Sequence, residues 1–248
     1  MPHERASKMS QQSPTAVTTT DSNPTAEASN PTPELSTYIA TDPDEILSAH
    51  RLIADSVAQQ RQLAARAVIF HPVWLGAMLA VFAVVYKLLY HDSSDLPLIG
   101  TTGAGCVMAG LTMVRLWTGG YIEHAEHVGA RAWLEGVEES DGDKQEILVT
   151  KFGEKIIGAL VVRGVREGRK VHGVIRAWTV AQKYRGKGVG SGLLEEAMLV
   201  CQKRRWKGLE FDEEHANAKK VLPRVFNGPF ERRERRAREA LEKLVKKK

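Results

Sequence analysis

The chain has 248 residues, 43% hydrophobic and 26% charged, with a formal net charge of +5, enough for one domain of ordinary size with extensions. Nine Lys/Arg against four Glu between Glu231 and Lys248 supply that excess, so the rest is balanced and no general nucleic-acid-binding surface is indicated. Two cysteines, Cys106 and Cys201, are too few for a disulfide framework and lack metal-ligand spacing, and no apolar h-region marks a cleaved signal peptide.

Residues 1–33 are rich in Ser, Thr, Pro, Gln and Asn, with one Val and no Leu, Ile or aromatic residue. Such a segment buries too little apolar area to offset the entropy of ordering, which predicts a disordered tail. Residues 34–66 read as a short strand at Leu35–Ala40 followed by a helix to about Arg66. Asp42 is placed as N-cap, Pro43 at the first helical position and Glu45 as the partner in a capping box. Ile46, Ile53 and Val57 form the apolar stripe of that helix.

Residues 67–118 contain two runs free of Asp, Glu, Lys and Arg, Ala67–Tyr86 and Leu96–Val114. Each is close to the length that crosses a ~30 Å hydrocarbon core, and the short polar link between them predicts a transmembrane hairpin. Gly100, Ala104, Gly105 and Ala109 offer small residues for close helix approach. Trp74, Tyr86, Tyr90, Trp117 and Tyr121 suit an interfacial belt. Arg51, Arg61, Arg66, Arg115 and Arg131 flank the pair while the link carries two Asp, so the positive-inside bias puts both termini in the cytosol. The competing reading is a pair of core helices or a re-entrant hairpin.

Tyr121 to about Val137 reads as a helix. Its His124 and His127 lack a third ligand, so the helix is expected to be solvated or to face headgroups rather than to hold a metal. After the turn residues Ser140–Asp143, strands are expected at Ile147–Phe152 and Lys155–Arg163, joined at Gly153-Glu154. A polar loop at Gly164–Lys170 leads to a strand at Val171–Val180. Leu209–Phe211 is a further strand, and Asn217–Phe226 a helix disturbed by Pro223.

Between the strand ending at Val180 and a helix with apolar positions Leu193, Leu194, Ala197 and Cys201 lies Gln182-Lys183-Tyr184-Arg185-Gly186-Lys187-Gly188-Val189-Gly190-Ser191. Its glycines let several backbone N–H groups converge at the positive end of a helix, and Lys183, Arg185 and Lys187 add charge, which suits a pyrophosphate. The spacing is wrong for a P-loop and in a different register from the Rossmann fingerprint. Arg185-x-x-Gly188-x-Gly190 in a strand–loop–helix ending in Leu193-Leu194 resembles the acetyl-CoA pyrophosphate loop of the GNAT acetyltransferase superfamily.

The order of elements from Leu35 to about Phe230, with the apolar hairpin set aside as an insertion, is similar to that superfamily. The insertion and the Glu154–Gly158 turn resemble the membrane-anchored camello-like N-acetyltransferases. The resemblance implies a mixed α/β GNAT sheet flanked by helices, with the core at residues 119–230 and direct transfer of acetyl from acetyl-CoA to an amine acceptor, a small molecule or a protein. It implies that Lys183, Arg185, Gly186, Lys187, Gly188, Val189, Gly190 and Ser191 hold the pyrophosphate and that Thr179 and Val180 line the pantetheine fork. Asn217 is placed as a further cofactor contact, no metal is implied, and the endoplasmic reticulum membrane is the implied location. A base is drawn from Asp212–His215, with Glu213 or His215 favoured.

Two departures stand against the family pattern. Arg224 falls where a general-acid Tyr is usual, and residues 231–248 read as a basic helix instead of the last strand pair. The missing wall would then come from another element or a second subunit, and a non-catalytic membrane scaffold or complex subunit is the alternative function. The basic helix is expected to lie on anionic headgroups, to attract an acidic partner, or to be solvated.

Overall fold

A computed structural model describes residues 33–130, 133 and 145–247. The predicted tail at residues 1–33, apart from Pro33, lies outside them, as do the turn at Ser140–Asp143 and most of the helix past Gly129. Five strands form one sheet in chain order: β1 Leu35–Ile39, β2 Gln145–Phe152, β3 Lys155–Glu167, β4 Lys170–Val180 and β5 Leu209–Phe211. The first four pair antiparallel, and β5 joins β4 parallel.

Tight turns explain the antiparallel part. Gly153 at φ +59° and Gly168 at φ +62° supply left-handed backbone between β2 and β3 and between β3 and β4. The expected loop at Gly164–Lys170 is therefore corrected: it is mostly strand, paired from Gly164↔Gly173 to Glu167↔Lys170. The parallel step needs a crossover, and α6, Val189–Lys203, provides it.

Side-chain alternation divides the core in two. Val149, Ala159, Val161 and Ala177 pack on one face against Ala49, Ile53 and Val57 of α1 (Pro43–Ala58) and Val128 of α5 (Gly120–Gly129). Leu148, Leu160, Val162 and Ile175 pack on the other against Leu193, Leu194, Ala197 and Val200 of α6 and Leu241 of α7, Gly228–Lys247.

Asp42 caps α1 by accepting from the N–H of Asp44. Glu45 does not complete the box; its carboxylate accepts from the Tyr38 hydroxyl at 2.6 Å and pairs with Lys151 at 3.2 Å, pinning α1 to β1 and β2. The expected single helix is broken at Gln59, and α2 runs from Gln60 to Ile69.

Beyond it, His71 accepts from the Val73 N–H and Pro72 opens α3, Pro72–Leu89, so the first apolar helix starts five residues later than the charge-free run. Its partner α4 spans Leu96–Trp117. Both helices are long and apolar enough to cross a membrane. No residue of α3 is buried and only Val114 of α4 is, the opposite of what core helices require. Of the glycines, Gly103 faces Phe82 and Gly110 faces Trp74 and Met78, whereas Gly100 and Gly105 face open space, contrary to expectation.

A third cluster joins the hairpin base to the sheet domain. Ala64 and Val68 of α2, Val114 of α4 and Tyr121 of α5 pack with Leu222, Phe226 and Phe230, and the Tyr121 and Phe230 rings stack with centroids 5.7 Å apart. Asn217–Phe226 is not a helix, in contrast to the sequence reading. After turns it holds only a 3-10 turn at Arg224–Phe226, because Pro223 removes an N–H donor.

Candidate functional site

The site begins with a register change. β3 and β4 slip between Val161 and Val162, leaving Arg176 as an extra residue on β4. The bulge exchanges the edges to which later peptide groups point. Arg176 O accepts from Ala216 N at 2.8 Å on the β5 side, while Ala181 N donates to Ile157 O at 2.8 Å on the β3 side. Alternation then turns the N–H of Trp178 and Val180 toward β5. That strand ends at Phe211 opposite Ile175, so the two strands part.

A cavity of about 580 Å³ fills the fork. Its walls are Trp178, Thr179 and Val180 of β4; Arg185, Gly186, Gly188, Gly190 and Ser191 of the glycine loop; Ser56 and Gln60; Phe211, His215, Asn217 and Lys220; and Phe230, Arg233, Glu234 and Ala237 of α7.

The loop is held open by its own geometry. Gly186 and Gly188 have φ of +78° and +85°, which a Cβ would strain. Gly190 is small for a different reason: a Cβ there would lie 2.9 Å from the Trp178 indole, whose Nε1–H donates to Gly190 O at 3.1 Å. Gly192 N donates to Gly188 O, closing the first turn of α6. The preceding N–H groups of Val189, Gly190 and Ser191 have no intrahelical acceptor. Those of Gly186, Lys187 and Gly188 bond no carbonyl among the described residues. A set of bared amides at a helix N-terminus is an anion cradle.

Arg185 braces the fork. Its Nε donates to Val180 O at 2.8 Å and its Nη2 to Gln59 Oε1 at 3.1 Å. Burial, then the charge of Arg233, pushes its pKa below the usual guanidinium range.

On the facing wall, His215 Nδ1 lies 2.9 Å from Asp212 O. A proton on Nδ1 makes that bond and leaves Nε2 as the acceptor nitrogen. Gln60 Nε2 donates to Asn217 Oδ1 at 2.5 Å. Gln60 is 6% exposed, yet its Oε1 has no partner among the described residues. Glu234 pairs with Lys220 at 3.2 Å and Arg238 at 2.7 Å. Burial acts to raise its pKa, but Lys220, Arg238 and His215 hold the carboxyl below its usual range.

Of the sequence-predicted residues, Thr179, Val180, Arg185, Gly186, Gly188, Gly190, Ser191, His215 and Asn217 meet at this cavity. Lys183, Lys187 and Val189 do not line it: Lys187 lies over the Tyr184 ring, and Val189 is buried against Gly158. Glu213 lines a neighbouring groove with Asp212 and Arg163. Asp212 Oδ1 accepts from Glu214 N, a tight turn that carries the chain past Glu213 before His215 reaches the fork.

Gln60, Phe230, Arg233 and Glu234 are site residues that sequence reasoning missed. The visible signal was the helical spacing of Ala237, Ala240, Leu241 and Leu244, which seats α7 on the core. One stripe of α7 is seated in this way while its Arg and Lys residues from Arg232 to Lys246 stay exposed, and Phe230, Arg233, Glu234 and Ala237 form a wall of the cavity. His124 is likewise corrected: it is half-buried and bonds Ala216 O at 3.1 Å through Nε2, and its pKa is lowered by burial. No cluster of three metal-ligating side chains occurs among the described residues.

Residues 112–223 match the family model of the Acetyltransferase (GNAT) family. No curated protein sequence matches the chain. Similar solved structures include the ribosomal-protein-alanine N-acetyltransferase of Brucella melitensis biovar Abortus 2308, at 18% identity over 42% of this chain and 67% of that one, TM-score 0.29. Another is the glucosamine-6-phosphate N-acetyltransferase of Arabidopsis thaliana, at 21% identity over 44% and 69%, TM-score 0.29. A third is a GNAT family acetyltransferase of Staphylococcus aureus, at 12% identity over 76% and 93%, TM-score 0.32.

Proposed function

We propose that this chain, whose residues 112–223 match the Acetyltransferase (GNAT) family model, is a membrane-anchored N-acetyltransferase moving acetyl from acetyl-CoA directly to an amine. The observation that carries the reading is the row of bared amides from Gly186 to Ser191 at the mouth of diverging β4 and β5. A diphosphate fits that cradle, and an extended pantetheine arm fits the unpaired edge of β4 beyond Arg176. The partnerless Gln60 Oε1 is an acceptor suited to a ligand N–H.

In this reading the N–H of Val180 faces the thioester carbonyl and stabilises the oxyanion that develops there. His215 Nε2 takes a proton from the acceptor ammonium, the freed amine attacks the carbonyl carbon, and the C–N bond forms as the C–S bond breaks. The nitrogen that has bonded carbon sheds its remaining extra proton, and the departing CoA thiolate takes it up. The Arg flanks of the hairpin support both termini in the cytosol, and the camello-like resemblance supports the endoplasmic reticulum and residues 67–118 as the anchor.

The test is calorimetry of acetyl-CoA with the full chain in detergent, paired with thiol release over a broad amine library. Binding that disappears in Gly188→Glu, and turnover that falls at least tenfold in His215→Ala with binding retained, are the expected results. Absence of acetyl-CoA binding by the unaltered chain would remove the enzyme reading. No tyrosine lines the cavity among the described residues, which favours one second reading: a scaffold that retains CoA. Binding without turnover on any amine would select it.

A further inference from the structure

The cavity contains more positive charge than its protein partners account for. Lys220 is matched by Glu234 at 3.2 Å. Arg185 spends two donors on neutral oxygens, Val180 O and Gln59 Oε1, and meets no carboxylate among the described residues. Arg233 lines the same cavity and has neither a hydrogen bond nor an ion pair among the described residues.

The sequence of α7 shows why. Arg235 pairs with Glu239 and Arg238 with Glu234, each at four-residue spacing. Arg233 has Pro229 and Phe230 behind it and Arg236 and Ala237 ahead, so no acid on its own helix reaches it. Its backbone is nevertheless held in place. Phe230 is 7% exposed and Leu241 6% exposed, so buried side chains anchor α7 on both sides of it.

Two guanidiniums in one cavity repel, and Arg233 adds to the desolvation that lowers the pKa of Arg185; both residues remain exposed, open to an incoming anion. Arg233 carries five donors and lines the same cavity as Gly186, Gly188, Gly190 and Ser191. The buried, partnerless Oε1 of Gln60 on the same cavity independently marks it as a place for a ligand.

We infer that Arg233 of the C-terminal helix is a phosphate-binding residue of the acyl-donor site, closing over the anion held by the glycine loop. This rests on the acetyl-CoA reading and adds a contact from an element outside the matched residues 112–223. A guanidinium suits the role because it grips phosphate oxygens with two parallel donors and stays charged. Arg236, on the same helix but not lining the cavity, has no such role.

The experiment is equilibrium binding on the full chain in detergent with two probes, acetyl-CoA and S-acetyl-pantetheine, which lacks every phosphate. Arg233→Glu is expected to weaken acetyl-CoA at least tenfold at low salt, less so at 0.5 M by the general screening of exposed charges, and to leave S-acetyl-pantetheine unchanged. Arg233→Lys should fall between, and Arg236→Glu should match the unaltered chain. Equal acetyl-CoA binding by Arg233→Glu and the unaltered chain would overturn the inference alone, as would equal losses for both probes. No acetyl-CoA binding by the unaltered chain would overturn the donor assignment and this inference with it.

Discussion

At Gly188 and Gly190 the same residue type answers two different demands, and substitution separates them. Gly188 is left-handed with nothing within 4 Å of an added Cβ, so Gly188→Ala costs backbone strain alone, about 1–2 kcal/mol. Gly190→Ala drives a methyl into a Trp178 ring that is tied to Gly190 O. We expect Gly190→Ala to lower the melting midpoint more than Gly188→Ala, whereas both weaken acetyl-CoA; equal midpoints would refute the distinction. Cys201 supplies a pH test. Burial pushes its thiol from 9.0 to about 11. Folding therefore favours the protonated form, and this stabilisation is complete below pH 9, then lost as pH rises toward 11. Native Cys201 should resist alkylation at pH 8 and react only on unfolding, as mass spectrometry under native and denaturing conditions would show.

Among elements, α7 has the most to explain because its sequence is dominated by charge while its role depends on a few apolar residues. Leu241 sits with Val200, Cys201 and Leu209, so Leu241→Ala should cost about 2–5 kcal/mol by loss of burial plus a cavity. It should also loosen Phe230, Arg233 and Glu234 and weaken acetyl-CoA, which denaturant unfolding and calorimetry would check together. The sequence displayed the strands, the glycine loop and the apolar spacing of α7 because each follows a local period or turn signal. It did not display the Arg176 bulge, which arises from pairing across strands, nor Gln60, whose place depends on a helix break at Gln59. Glu213 and His215 looked equivalent in sequence; only the Asp212 turn separates them. The capping-box reading of Glu45 failed because Tyr38 and Lys151, distant or outside the motif, compete for its carboxylate.

For the whole molecule, the hairpin and the sheet domain share the cluster of Val68, Val114, Tyr121 and Phe230, so a cut must spare it. Replacing residues 72–110 with a short linker keeps Val114, and the contact between Gly110 and Trp74 shows that the cut ends lie close together. That variant should remain in the supernatant without detergent and still bind acetyl-CoA, while the full chain sediments with membranes and resists alkaline carbonate extraction. A full chain released by carbonate would oppose the anchor. Helix α2 adds a measure of reach. It opens with Gln60 at the cavity and closes with Ile69 beside the hairpin, ten residues in all, or about 15 Å at 1.5 Å per residue. With the hairpin in a bilayer, the cavity wall at Gln60 stands about 15 Å along α2 from the point where the chain dips into lipid. A stalk of about five extended residues, at roughly 3.3 Å each, spans that distance to the cavity wall for an acceptor rooted in the same bilayer.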